Sequence, residues 1–393
     1  MVETPHTNMR VHYRELILFI FVILCFGYYF FNGNPFTRKE IQWEHIYLDE
    51  SKTAIHSIQT TTNGYILVGY ADAPGSYGHS VYLLKTDTKG NRVWDKKIGE
   101  EYDAVGYACQ QTQDGGFIIV GSASPLFTKY VYVIKTDKDG NLEWEKIFDE
   151  DGLRSEGFSI QCDPLGGYIV AGVTKTEGSN AFLLKLDEYG RKEWMRTYGG
   201  LSYDRATSVK ITSDGGYIFV GDSESYGSGD TDVYLGKTDP LGGLVWSRTF
   251  GGDDYEEGWC VQVCGDGGYI VSGETGSVDE RESDIYLLKV DDDGGLLWES
   301  SFGHGNRNRG LFVEEFGSGC FAVCGFSSAE NIGLNTCTYV SVVDSDGSLV
   351  WDHVFYSLGE GIGWCIESTE DGGFLVAGER TSRSNLMKIN PPK

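Results

Sequence analysis

From Ile41 onward the chain alternates short apolar runs with polar, glycine-rich turns, and the order of those runs repeats. The pattern is plainest around residue 215. "TSVKIT" leads through the turn "SDGG" into "YIFVG"; a long polar loop follows, then "VYLGKTD", the turn "PLGG" and "LVWSRTF". Short runs rich in β-branched and aromatic residues, bounded by turn residues, predict strands. We label the four runs of a unit A, B, C and D. B and C are almost continuously apolar, as expected of strands covered on both faces. D mixes charge into the pattern, as in "RKEWMRTY" and "NLEWEKIF", which predicts a solvent-facing edge. Beyond the N-terminal segment no run sustains a period of 3.6, so little helix is expected there.

Tryptophan measures the repeat. Trp43, Trp94, Trp144, Trp194, Trp246, Trp298 and Trp351 all fall in strand D, at steps of 51, 50, 50, 52, 52 and 53 residues. Trp259 and Trp364 lie off this ruler. Seven units of four strands predict an all-β fold, a seven-bladed β-propeller of four-stranded antiparallel blades. A lone sheet of this kind would leave an apolar face wet, whereas a blade in a closed ring packs between two others. The pattern begins with an isolated D strand, "IQWEHIY", and ends with A, B and C only. The N-terminal strand is therefore expected to complete the last blade and close the ring.

The repeat "DGGYI…VYLLKTDxxGNxxW" resembles the tryptophan-docking, PQQ-like repeats of quinoprotein-like β-propellers. It is still more similar to the propeller repeats of uncharacterised archaeal and bacterial surface proteins. The resemblance spans residues 41–393 and implies that the ruler tryptophans are structural, docking between adjacent blades. Each such ring would bury roughly 150–250 Å². Quinone-dependent dehydrogenases of the wider superfamily usually have eight blades, and many carry a vicinal cysteine pair. Here there are seven units and no adjacent cysteines, so no quinone cofactor is expected.

Composition narrows the partners. Asp and Glu outnumber Lys and Arg by 58 to 32, for a net charge of −26. Such a body repels nucleic acid, whose binding needs basic patches, and suits basic or cationic partners. Residues 16–31, "LILFIFVILCFGYYFF", carry no charge, and the next is Arg38. Extended through "NGNPF", the stretch reaches the roughly 20 residues that span a bilayer. The expected organisation is a tail at 1–15, a transmembrane signal-anchor helix at 16–36, a linker at 37–40 and the propeller at 41–393. This describes a single-pass membrane protein with its propeller outside the cytoplasm; a cleaved signal peptide is the alternative. Of nine cysteines, Cys25 lies in the anchor, and Cys324 and Cys337 are expected to face each other across neighbouring strands as a candidate disulfide.

Little in the sequence speaks for catalysis. The recurring "KTD" reads as architecture, its Asp opening a turn by accepting backbone N–H bonds and its Lys laying its stem along the strand. "DKDGN" and "DDDGG" read as hairpin turns, because a calcium loop of the helical-hand type needs about twelve residues. Asp230 and Asp232 in "GSGDTD" and Asp284 in the next unit, near Asp279, Glu280 and Glu282, are the candidate calcium ligands. No zinc spacing, nucleophile elbow or phosphate loop appears, and no catalytic residue is assigned.

The turns fall into two populations. A–B and C–D turns are short and uniform, whereas B–C loops are long and differ from unit to unit. Strand alternation puts the B–C loops and D–A connections on one face, and varied loops on a rigid scaffold are where function concentrates. The candidate binding face takes Tyr77, Phe127, Tyr226 and Arg281 from the loops. From the connections around the channel mouth it takes Asp103, Arg154, Arg205, Glu256, Glu257, Arg309 and Glu360, with Glu156 and Asp204 beside them. The stretch "NGNPFTRKE" reaches at most about 32 Å, so the tether would hold the uniform face toward the membrane. These features point to a membrane-anchored, non-catalytic recognition or assembly scaffold with a protein or glycan partner. The alternatives are an extracytoplasmic enzyme, such as a glycan-active one, with its site at the channel mouth, and a structural envelope component.

Overall fold

The computed structural model describes residues 40–47, 52–73, 78–125, 128–149, 154–175, 178–276, 282–317, 319–328, 336–355 and 360–391. The expected anchor at 16–36 lies outside these residues. Among the described residues no helix is long and apolar enough to cross a membrane. The strands form seven four-stranded sheets, each ordered A-B-C-D and antiparallel throughout. Blade 4 is typical, with A at Asp204–Ile211, B at Tyr217–Ser223, C at Asp232–Thr238 and D at Leu244–Phe250. The N-terminal strand Ile41–Ile46 pairs with the last strand, Ser384–Ile389, and so supplies strand D of blade 7. Its Glu44 accepts hydrogen bonds from Arg380 at 2.8 Å and Asn385 at 2.6 Å, fixing the seam.

Burial follows from this closure. The apolar side chains gather in seven clusters, one between each pair of neighbouring blades. In one of them, Val233 and Leu235 from strand C of blade 4 meet Val261 from strand A and Val271 from strand B of blade 5. B and C side chains are buried nearly throughout, whereas D is half-buried to exposed.

Two devices recur near the rim, one between blades and one within a blade. Each ruler tryptophan from Trp43 to Trp298 packs against the C–D turn of the next blade. Trp144 meets Gly190, where a Cβ would lie 2.6 Å from the indole and φ is +72°. It also approaches Tyr168 of that blade with ring centroids 6.2 Å apart. The second device is the "KTD" motif. Its aspartate behaves as expected, with Asp87 Oδ1 accepting the N–H groups of Lys89 and Asn91 at 2.9 and 2.8 Å. Its lysine goes further than lying along the strand. Lys135 and Lys289 are buried, and their ammonium groups clamp the A–B turn through Asp114 at 2.9 Å and Asp266 at 2.8 Å. Lys388 does the same in blade 7, and with Thr369 draws the Asp371 carboxyl down to about 2.

The expected Cys324–Cys337 pairing does not form. Cys324 stands opposite Val340, and Cys337 opposite Ser327. A three-residue offset puts them on opposite faces of the sheet. Accordingly they belong to different inter-blade clusters, and neither sulfur is in a disulfide.

Every inner strand carries a β-bulge. Register shifts by one residue after Ile55, Gly106, Gly157, Ala206, Gly258, Gly310 and Gly363, leaving one unpaired residue per blade. A bulge bends its strand and re-aims a side chain. Here it also presses a strand-A carbonyl onto strand B, and the contact explains the last glycine of "DGGYIFVG". A Cβ on Gly221 would overlap the Arg205 carbonyl oxygen and lie 2.7 Å from its carbon; Gly121 against Val105 and Gly273 against Glu257 show the same overlap with the oxygen, at 2.9 and 3.0 Å from the carbon. Gly221 has an ordinary φ, so the requirement there is space alone. Gly221→Ala is therefore expected to cost about 3 kcal/mol or more by overpacking. Gly372→Ala, at φ +81° with nothing within 4 Å, is expected to cost only about 1 kcal/mol. Urea unfolding of the two variants checks the difference; equal losses would refute it.

Candidate functional site: the channel and its mouth

The seven bulges place His56, Tyr107, Phe158, Thr207, Trp259, Leu311 and Trp364 around the ring's centre, where all seven line a cavity of about 310 Å³. One side of the wall is a continuous run of rings. Trp364 meets His56 edge-on at 5.1 Å, His56 stacks on Tyr107 at 5.4 Å, and Tyr107 tilts against Phe158 at 5.5 Å. His56 Nδ1 lies 2.9 Å from the Gly106 carbonyl of the next blade. A carbonyl can only accept, so Nδ1 carries the hydrogen. Burial pushes the imidazole down to about 4, which keeps it neutral at ordinary pH. Thr207 repeats this arrangement, donating to the Gly258 carbonyl at 2.7 Å.

Two residues before each bulge the blades differ sharply. Blades 3 to 6 carry Glu156, Arg205, Glu257 and Arg309, whereas blades 1, 2 and 7 carry Ala54, Val105 and Ile362. The charged half is an interlocked arc. Arg205 bonds Asp222 at 2.7 Å and Glu257 at 3.1 Å; Arg309 reaches Glu257 at 3.6 Å and pairs with Glu274. Both guanidiniums lie 4.8 Å from the Trp259 ring. Burial would raise the Glu257 carboxyl, but the two arginines outweigh it and hold it low. Burial prevails at Asp222 and Glu274, whose carboxyls are pushed up despite their arginine partners. Beside it, Glu156 pairs with Lys129 and Lys175.

The residues singled out at the mouth thus divide by register. Arg205, Glu257 and Arg309 join the arc. Their neighbours turn into the loops: Asp204 accepts the Gly200 N–H at 2.7 Å, and Glu256 accepts the Gly252 N–H at 2.9 Å and the Thr275 hydroxyl at 2.8 Å. Asp103 holds the blade 1 loop through the His79 N–H at 2.8 Å. Arg154 and Glu360 are exposed, and their backbone carbonyls accept Lys175 and Thr381 N–H groups. Tyr226 is exposed on the loop face and donates to the Gly199 carbonyl at 2.8 Å. Tyr77, Phe127, Arg281, Asp279 and Glu280 lie outside the described residues. Of the candidate calcium ligands, Asp230 is exposed, Asp232 is buried and accepts the Gly229 N–H of its own loop at 3.1 Å, and Asp284 accepts from Asn308 at 3.3 Å. Among the described residues no three potential metal ligands gather.

A third layer stands on the turn-face side of the cavity. Three residues after each bulge stand Gln59, Gln110, Gln161, Lys210, Gln262, Glu314 and Glu367. Four of these side chains, Gln59, Gln110, Glu314 and Glu367, stitch neighbouring inner strands: Gln59 accepts the Gln111 N–H, and Gln110 the Cys162 N–H, both at 2.5 Å, and Glu314 accepts the Ser368 N–H at 2.7 Å. Glu367 accepts from the Thr60 hydroxyl and so spans the seam between blades 7 and 1. Burial raises its carboxyl to about 7, against the opposing Thr60 bonds.

A carboxyl raised in the folded state keeps a proton that the unfolded chain has lost. Its stabilisation is present below the ordinary pKa of 4.5 and disappears as pH rises through about 7. Four equivalent positions are glutamine, so Glu367→Gln keeps the acceptor and removes the charge. It is expected to match the parent at pH 4.5 and exceed it by about 2–3 kcal/mol at pH 8. Denaturant unfolding across that range tests this, and a difference independent of pH would overturn it.

No family model matches the chain, and no curated protein is similar to it in sequence. Solved structures do share its fold. The Pan2 WD40 domain of Neurospora crassa superposes with a TM-score of 0.54 at 11% identity, over 86% of this chain and 90% of that one. BBS1N, solved in complex with ARL6DN, gives 0.52 at 12% identity, over 90% and 97%. Puromycin hydrolase gives 0.53 at 14% identity, over 86% of this chain and 54% of its own. At such identities the likeness concerns architecture alone, and the neighbours include a WD40-type propeller where the repeat led us to expect quinoprotein-like ones. What this chain shares with them is the β-propeller, here of seven blades.

Proposed function

We propose that the chain is a membrane-tethered recognition scaffold that binds a protein partner on its long-loop face. The observation that carries this reading is the asymmetry between the two faces. On the loop face, the arginine–carboxylate arc lines one half of the channel mouth, and Leu201 and Tyr226 stand exposed at 98% and 46% beside the blade 4 connection. Aromatic and arginine side chains on a rigid frame are the usual anchors of protein recognition. BBS1N, a structural neighbour, was itself solved with a protein partner, which favours a protein ligand here.

The opposite face supports the tether. Val93, Val245, Leu241, Leu297 and Val350 are all exposed on strands and turns of the uniform face. They share that face with the point where the chain enters its first strand, shortly after the apolar stretch at 16–31. An apolar rim beside a membrane anchor suits a surface that rests against the bilayer.

A photo-cross-linking side chain placed at Tyr226 or Leu201, in the full-length protein in its native membrane, tests the assignment against the same probe at Leu241. Discrete protein adducts are expected from the loop face and lipid adducts from Leu241. Protein adducts confined to Leu241, with silence from the loop face, would overturn the proposal.

A further inference from the structure

The central cavity has a chemistry distinct from the mouth above it. At about 310 Å³ it is roughly twice the ~150 Å³ apolar cavity that accepts a benzene. Its wall is mostly aromatic and aliphatic, and the polar groups that reach it are few. His56 is one; with its hydrogen committed to Gly106, its free nitrogen is an uncharged acceptor. Arg205 lines the upper edge, but its guanidinium is already engaged by Asp222 and Glu257.

The two off-ruler tryptophans are the telling groups. Trp259 and Trp364 both line the cavity, and each indole Nε1 is shielded from solvent with no hydrogen-bond partner among the described residues. A buried donor left unmade is costly, and nearly all such groups in folded proteins find an acceptor. Indole N–H groups can only donate. A ligand that satisfied them would have to bring an oxygen or nitrogen acceptor. It would also have to be uncharged: carboxylates already pair the charges of both nearby arginines, and an added charge would lose its hydration without gaining a counterion.

We propose that this cavity is a binding site for a small, uncharged, bicyclic-sized organic molecule with an apolar body and a carbonyl-type acceptor. Pockets of this kind, apolar with a few convergent polar groups, are the usual form of small-molecule sites. The bulges make the site possible, since each delivers one residue to the wall without disturbing the packing between blades. The site is independent of the protein partner proposed for the loop face.

The probes are 1-indanone and its hydrocarbon counterpart indane, titrated into the full-length chain and followed by calorimetry and tryptophan fluorescence. Both are expected to bind. Replacing both indoles, Trp259→Phe with Trp364→Phe, is expected to weaken 1-indanone about three- to tenfold and to leave indane unchanged. Filling the space with Ala108→Val should weaken both probes, and Ala108→Leu should abolish both, with urea unfolding reporting that each variant folds. The graded pair keeps the test decisive if the larger side chain is not tolerated. Binding of neither probe, binding indifferent to Ala108→Val, or equal losses for the two probes in the double phenylalanine variant would each overturn the proposal.

Discussion

One contact sets the geometry of this molecule: a strand-A carbonyl pressed against a strand-B glycine, seven times around the ring. Without a Cβ on strand B the inner strand can carry an extra residue and stay paired on both sides of it. A larger residue would hold the strands apart or force the bulge flat. A flat strand would turn every residue beyond it onto the other face. The inter-blade packing and the stitched layer toward the turn face both depend on that register. The residues that line the channel are therefore positioned by an atom that is missing from their neighbour.

Stability lies between the blades. The apolar clusters each draw on two sheets, the ruler tryptophans reach into the next blade, and the glutamine and glutamate layer joins successive inner strands. What belongs to a single blade is mostly its ladder and the Lys–Asp clamp on its A–B turn. A four-stranded sheet so equipped would expose both apolar faces if separated. The ring is thus expected to fold as one cooperative body. The charged arc fits this picture. Its ion pairs cross from blade 4 to 5 and from 5 to 6, in a setting where removing one partner would strand another buried charge.

Much of the architecture could be read from residues alone. The tryptophan spacing gave the number of blades, and the lone D strand at one end with three strands at the other gave the closure. The two populations of turns gave the two faces. The bulges were not visible, because the glycine in "YIFVG" reads like turn punctuation when it is a mid-strand steric requirement. A signal existed. Trp259, Trp364, Tyr107 and Phe158 each lie ten residues before the strand-B aromatic, a column that emerges once the units are aligned. At the mouth, sequence placed Glu256 and Glu257 together, but neighbours on a strand take opposite roles: one caps a loop and the other faces the arginines. Cys324 and Cys337 illustrate the same limit, since the length of a B–C loop does not determine which residues end up opposite each other.

The seam has a mechanical meaning. The N-terminal strand lies antiparallel to the last strand, and the residues that open it, Glu40 and Ile41, stand at its turn-face end. Tension arriving through those residues would load the rungs of that ladder together, in shear, instead of peeling them one at a time. The Glu44 bonds to Arg380 and Asn385 would share the load. Under sustained pull, the lifetime of the closed ring is set by the rate at which this one seam yields. A six-residue strand is in that sense the clasp of the whole ring.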